Sequence, residues 1–166
     1  MPAFPLHAAP VAIVGSRHGS PYGVAQFATA VIRAGGHVLT GCAAGVDRCA
    51  ASAAAAAGAR VTRVPALGAW PSRPVASRVV VAADQSPAAL ATRTRCVITA
   101  AAAVAVFPPA GGALGPGSAL ALRLALSRGV PVFVAGPLAP ARSGWAAATV
   151  AGVAGWLHLP APALFG

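Results

Sequence analysis

The sequence predicts a doubly wound α/β fold, a single parallel sheet with helices on both faces. Three observations carry that expectation. Short apolar runs, "VAIVG", "HVLT" and "VAVF" among them, recur between helical stretches, as strands buried on both faces require. Glycine clusters, "GSRHGS", "TGCAAGVD" and "PPAGGALGPGS", follow three of those runs where strand gives way to helix. The chain of 166 residues suits one domain spanning 1–166, and no repeat or linker divides it.

Taken in order, Val11 to Gly15 is the first strand, a continuous apolar run ending in glycine. Tyr22 to Ala34 reads as a helix with Phe27, Ala30 and Val31 on one side, closed by Gly35 and Gly36. His37 to Thr40 is a second strand, and an alanine-rich helix runs from about Val46 to Ala57, stopped by Gly58. Arg60 to Val64 alternates polar and apolar residues and reads as a strand nearer the sheet edge. Ala66 to Arg78, with Gly68, Pro71 and Pro74, reads as a loop, and Val79 to Ala83 as a further strand or buried segment.

Ser86-Pro87 places an N-cap and a proline at the first helical position, opening a helix that carries "ATRTRCVITAAA". Val104 to Phe107 is a strand, Ala119 to Ser127 a helix with Gly129 just past its end, and Val130 to Ala135 a strand. Beyond Pro137, residues 138–166 form an extension in which "GWLHL" reads as a short edge strand. Strands alternating with helices in this way give a Rossmann-like architecture.

The composition limits the chemistry. There is no Lys, Glu or Asn; 12 arginines stand against Asp47 and Asp84, for a net charge of +10. Much of this bias matches GC-rich coding, but its physical consequences hold regardless. Arginine keeps its charge and grips phosphate in a bidentate fork, so the chain suits polyanions or phosphate-bearing ligands. Without lysine there is no Walker A loop, Schiff base or catalytic lysine. Two isolated carboxylates do not build a divalent-cation site. Cys42, Cys49 and Cys96 lack paired-ligand spacing and read as buried thiols of a reducing, cytoplasmic compartment. No cofactor or metal is expected. The start "MPAFPLHAAP" has no basic segment of a signal peptide, and prolines or glycines break both long uncharged stretches short of a membrane span.

In a doubly wound sheet, ligands lie outside the carboxyl ends of the strands. The three glycine clusters all fall there and each leads into a helix, whose N-terminal amides attract anions. The candidate phosphate or nucleotide site is therefore Gly15, Ser16, Arg17 and His18 in the first loop, with Gly41, Gly45 and Asp47 in the second. Gly111, Gly112, Gly115, Gly117 and Ser118 belong to the third. Arg93 and Arg95 also qualify, but two residues apart on a helix they point roughly 200° away from each other, so at most one faces a ligand. The plainer reading of Asp47 is a carboxylate favoured by its helix dipole. For Tyr22 the alternatives are a base-stacking surface or a staple to the core.

The motifs "VAIVGSRHGSPYG" and "GGHVLTGCAAGVDRCAASAAAAAGA" resemble the core of the DprA/Smf proteins of DNA processing, whose pattern is VAIVGSR, S-x-YG, then SG-x-A-x-GID. "ATRTRCVITAAAAVAVF" resembles that family's R-N-R segment and following strand, and "GALGPGSALALRLALSRGVPVFVAGP" its closing helix and strand, a resemblance spanning 11–137. The later motifs are shared with the wider SLOG group. The resemblance implies a pocket for phosphates of single-stranded DNA or nucleotides, at Gly15, Ser16, Arg17, Gly41, Gly45, Asp47, Arg93, Arg95, Gly117 and Ser118. It also implies a homodimer and a role in DNA uptake or recombination. The family's histidine after GID falls at Ala51, its lysines are absent, and the flanking helical and winged-helix domains have no counterpart.

A small SLOG-type sensor of a free nucleotide is the alternative reading. "PPAGGALGPGSALAL" also echoes the PGG of the Lonely Guy phosphoribohydrolases, but their catalytic Glu is missing. Cleaving a nucleotide N-glycosidic bond would fall to Asp47, from a different loop. The inventory thus favours a binding protein over an enzyme.

Overall fold

The structure, a computed structural model, describes residues 3–8, 10–18, 22–41, 43–59, 62–64, 77–78, 85–137, 139–141 and 143–160, with 62–64 and 77–78 as backbone. Its elements are β1 (Val11–Gly15), α1 (Val24–Arg33), β2 (Val38–Gly41), α2 (Val46–Ala56), β3 (Thr62–Val64) and β4 (Ser77–Arg78). Then come α3 (Pro87–Ala100), β5 (Ala103–Phe107), α4 (Pro116–Ser127), β6 (Val132–Ala135), β7 (Ala146–Val150) and β8 (Val153–His158). They form one sheet in the order β4-β3-β2-β1-β5-β6-β8-β7. The strands from β4 to β6 are parallel, with Val11 opposite both Val38 and Ala103.

The order reverses between β1 and β5. From β1 the chain moves to β2 and β3, whereas from β5 it moves the other way to β6. Right-handed crossovers in opposite directions put their helices on opposite faces. Accordingly α1 packs with α2, and α3 with α4. Alternate residues of one strand serve both layers: Val11 and Ile13 face the α1/α2 side, Ala12 the α3/α4 side. On the first side Phe27 stacks on Phe133, with ring centroids 5.6 Å apart, and meets Phe4 and Phe107 edge-on. Burying each of these rings contributes about 2–3 kcal/mol, and edge-to-face contact adds to that.

Several boundaries differ from the sequence reading. The sheet is mixed rather than wholly parallel, because β8 runs antiparallel to β6 and β7 antiparallel to β8. The "GWLHL" segment is therefore inside the sheet, with β7 as the edge. Its alternating burial is that of a strand with one covered face. Ala151 and Gly152, at φ 52° and 77°, make the tight turn between the two strands. α4 begins at Pro116 rather than Ala119, since proline is suited to the first turn. α1 begins at Val24, after Gly23 at φ 88°. The end of the expected loop at 66–78 pairs as β4. Cys49 and Cys96 are free but only half-buried. The expected strand over Val79–Ala83, and Cys42 and Asp84, lie outside the described residues. Among the described residues no helix is long and apolar enough to cross a membrane.

Candidate phosphate-binding rim

The carboxyl ends of β1, β2 and β5 meet where the strand order reverses, and their loops are tied together by backbone contacts. Gly15 sits so close to its neighbours that a Cβ there would lie 2.2 Å from the Phe107 carbonyl oxygen and 2.8 Å from Val46 Cγ2. Only glycine lets the end of β1 lie between β5 and the start of α2. The Ser16 amide donates to the Phe107 carbonyl (3.1 Å), and the Val46 amide donates to the Ser16 carbonyl (3.0 Å). Loop one is thus fastened to the strand that opens loop three and to the helix that follows loop two.

The Ser16 hydroxyl closes the next turn on itself. It donates to the His18 carbonyl (2.9 Å) and accepts from the His18 amide (3.1 Å). That small turn holds Arg17 and His18 exposed at the mouth. The hydroxyl that the sequence offered as a phosphate donor is engaged inside the loop, and the side chains it presents are the outward groups.

Beneath the second loop lies a charged floor. Asp47, in the first turn of α2, is only 6 % exposed and Arg93 of α3 only 8 % exposed. A Cβ on Gly41 would lie 2.5 Å from Asp47 Oδ2 and 3.3 Å from Arg93 Cζ, so Gly41 is the slot through which the two side chains flank β2. The Ala43 amide donates to Asp47 Oδ2 (3.2 Å), and the Thr40 hydroxyl ties β2 to β1 by donating to the Ile13 carbonyl (3.1 Å). Burial pushes the Asp47 carboxyl up to about 6, against the opposing pull of Arg93, the Ala43 amide, Thr40 and Arg17. The Arg17 charge therefore reaches this floor from above. Arg95, two residues on from Arg93, is exposed on another side of α3, as the helical rotation demands.

The third loop leaves Phe107 on the other side of the reversal. Gly111 and Gly112, at φ 100° and 81°, adopt left-handed backbone. Gly115 caps α4, Gly117 lies in its first turn, and nothing comes within 4 Å of a Cβ at Gly111, Gly115 or Gly117. Ser118, 8 % exposed, is turned into the fold. The structure brings Gly15, Ser16, Gly41, Gly45, Asp47 and Arg93 into one assembly with Arg17 and His18 above it. Gly111 to Ser118 form the adjoining wall, and Arg95 stands outside. Sequence reasoning did not settle which arginine faces inward, yet a signal existed: Arg93 is one helical turn before buried Val97, whereas Arg95 precedes exposed Thr99.

The family model of DNA recombination-mediator protein A matches residues 3–83, which include the first two loops. DNA processing protein A from Helicobacter pylori, described for its single-stranded DNA binding mode, superposes with a TM-score of 0.60 at 20% identity. The match covers 80% of this chain and 68% of that one. The fold is that of DNA processing protein A. A molybdenum cofactor binding protein from Rippkaea orientalis shares it, with a TM-score of 0.57 and 18% identity over 76% of this chain and 75% of that one. Among curated proteins, no sequence matches this chain. Within the DprA-like fold, the rim described above is the crevice at the strand reversal where doubly wound sheets hold their ligands.

Proposed function

We propose that this rim binds the phosphates of single-stranded DNA, and that the protein serves DNA processing, in uptake or recombination, as a cytoplasmic binding protein rather than an enzyme. The observation that carries the reading is Arg17, held exposed over the strand reversal by the Ser16 turn, with helix N-termini opening from the same edge. The family match over 3–83 and the single-stranded DNA binding of the Helicobacter relative support it. The net charge of +10 supports attraction to a polyanion. Asp47, the carboxylate that hydrolysis would need, is turned inward onto the Ala43 amide, which favours binding over catalysis. A homodimer is proposed on the family resemblance alone.

A free nucleotide is the second reading. It draws on the enclosed Arg93 and on a relative of the same fold that binds a small cofactor. Fluorescence anisotropy of labelled oligo-dT across a salt series separates the two. Single-strand binding should weaken with salt at a log–log slope of about −0.7 per phosphate neutralised. Arg17→Ala should weaken it about 10- to 150-fold, the worth of a charge-assisted hydrogen bond. Binding indifferent to salt and to Arg17 refutes the DNA reading. A saturable thermal shift with a mononucleotide but not with oligo-dT would put the nucleotide in its place.

A further inference from the structure

The aromatic residues among the described ones are mostly committed. Phe4, Phe27, Phe107 and Phe133 form the core cluster, Trp145 packs against His158, and Trp156 Nε1 donates to the Pro137 carbonyl (3.3 Å). Tyr22 is different. At 84 % exposed, it is the large hydrophobic side chain left open among the described residues. It stands just before the Gly23 cap of α1, the position from which a hydrophobic staple reaches the residue one turn into the helix. That residue is Phe27, fully buried among other rings, so the staple is not made and the ring faces water.

The backbone that carries Tyr22 is fixed. Gly23 adopts φ 88°, its carbonyl accepts from the Phe27 amide at 2.8 Å, and a Cβ there would lie 2.5 Å from Val153 Cγ2. A flat ring is therefore presented from a pinned turn at the end of the same loop that exposes Arg17 and His18. Tyr22 lies five positions after Arg17, so their Cα atoms are no more than about 18 Å apart, within reach of one short oligonucleotide. Bases stack on aromatic faces only when they are unpaired, whatever their identity.

We infer that Tyr22 is the stacking platform for an unpaired base of the strand whose phosphates the rim holds, and that it is the residue that discriminates single strand from duplex. The inference rests on the phosphate-binding reading and adds a base to it. Affinities of oligo-dT, of an abasic oligonucleotide of the same length, and of a duplex are compared for wild type, Tyr22→Ala, Tyr22→Phe and Arg17→Ala. Tyr22→Ala should lose about 5- to 150-fold on oligo-dT, Tyr22→Phe should retain wild-type affinity, and neither should change binding of the abasic strand or the duplex. Arg17→Ala should weaken every ligand. The exposed ring makes no core contact, and an unchanged melting temperature will show that the variants fold. Equal affinity of Tyr22→Ala and wild type for oligo-dT, or an equal loss on the abasic strand, overturns the inference while leaving phosphate binding standing. Failure of wild type to bind any oligonucleotide overturns both.

Discussion

Replacing Asp47 with Asn should abolish one limb of the stability–pH curve. Burial raises the carboxyl from 3.8 to about 6 in the folded protein, so the folded chain holds this proton more tightly than the unfolded chain. Its contribution to stability is complete below the unfolded value and is lost as pH rises through the folded one. A difference of about 2 pKa units at 1.36 kcal/mol each makes the loss ~3 kcal/mol. Urea unfolding followed by tryptophan fluorescence at pH 4, 5, 6, 7 and 8 measures it in wild type and Asp47→Asn. Every other ionisable group is common to the two proteins, so subtracting one curve from the other isolates Asp47. Wild type should lose about 2.4 kcal/mol of that relative to the variant between pH 4 and pH 7, because pH 4 lies just above the unfolded value. A flat difference, or one that rises with pH, would refute the picture of a carboxylate enclosed at a net cost between α2 and α3.

Two further outcomes follow from single contacts, one at the rim and one at the opposite edge of the sheet. Gly15→Ala forces a Cβ to within 2.2 Å of the Phe107 carbonyl, and should cost about 1–3 kcal/mol in urea unfolding by overpacking, with loss of oligo-dT binding as loop one shifts. Arg128→Met removes a guanidinium that donates to the Ala101 carbonyl (2.9 Å) and to that of Ile98. Leaving the end of α3 uncapped should lower stability by about 1–3 kcal/mol, while single-strand affinity, read by anisotropy, stays unchanged.

The strands around the strand reversal were legible because they are buried on both faces, and continuous apolar runs carry that information locally. So was the start of α3, where Ser86 accepts from the Ala89 amide at 3.2 Å beside Pro87. The convergence of the three glycine loops followed from the winding rule, and Gly15 and Gly41 are indeed places where a Cβ has no room. What the chain did not disclose depends on distant contacts. The Asp47–Arg93 floor exists because α3 crosses back over β2 from the far edge of the sheet. The Ser16 hydroxyl, an obvious donor on paper, is taken by its own turn. β7 is an alanine-rich strand with little intrinsic preference for extension, and its place is set by pairing with β8.

Asp47 turned inward has an effect on how the whole molecule behaves as a colloid. It takes one of only two acidic side chains off the surface, while Arg17, Arg33, Arg48, Arg95 and Arg123 remain outside. Such a surface has almost no internal counterions and draws its neutrality from dissolved anions. On the proposed reading, phosphate and sulfate buffers compete with the DNA strand at the rim, and raised salt strips nucleic acid from the protein during purification. Taking up a proton at Asp47 near pH 6 adds to the net charge without changing the face the protein shows to its partners.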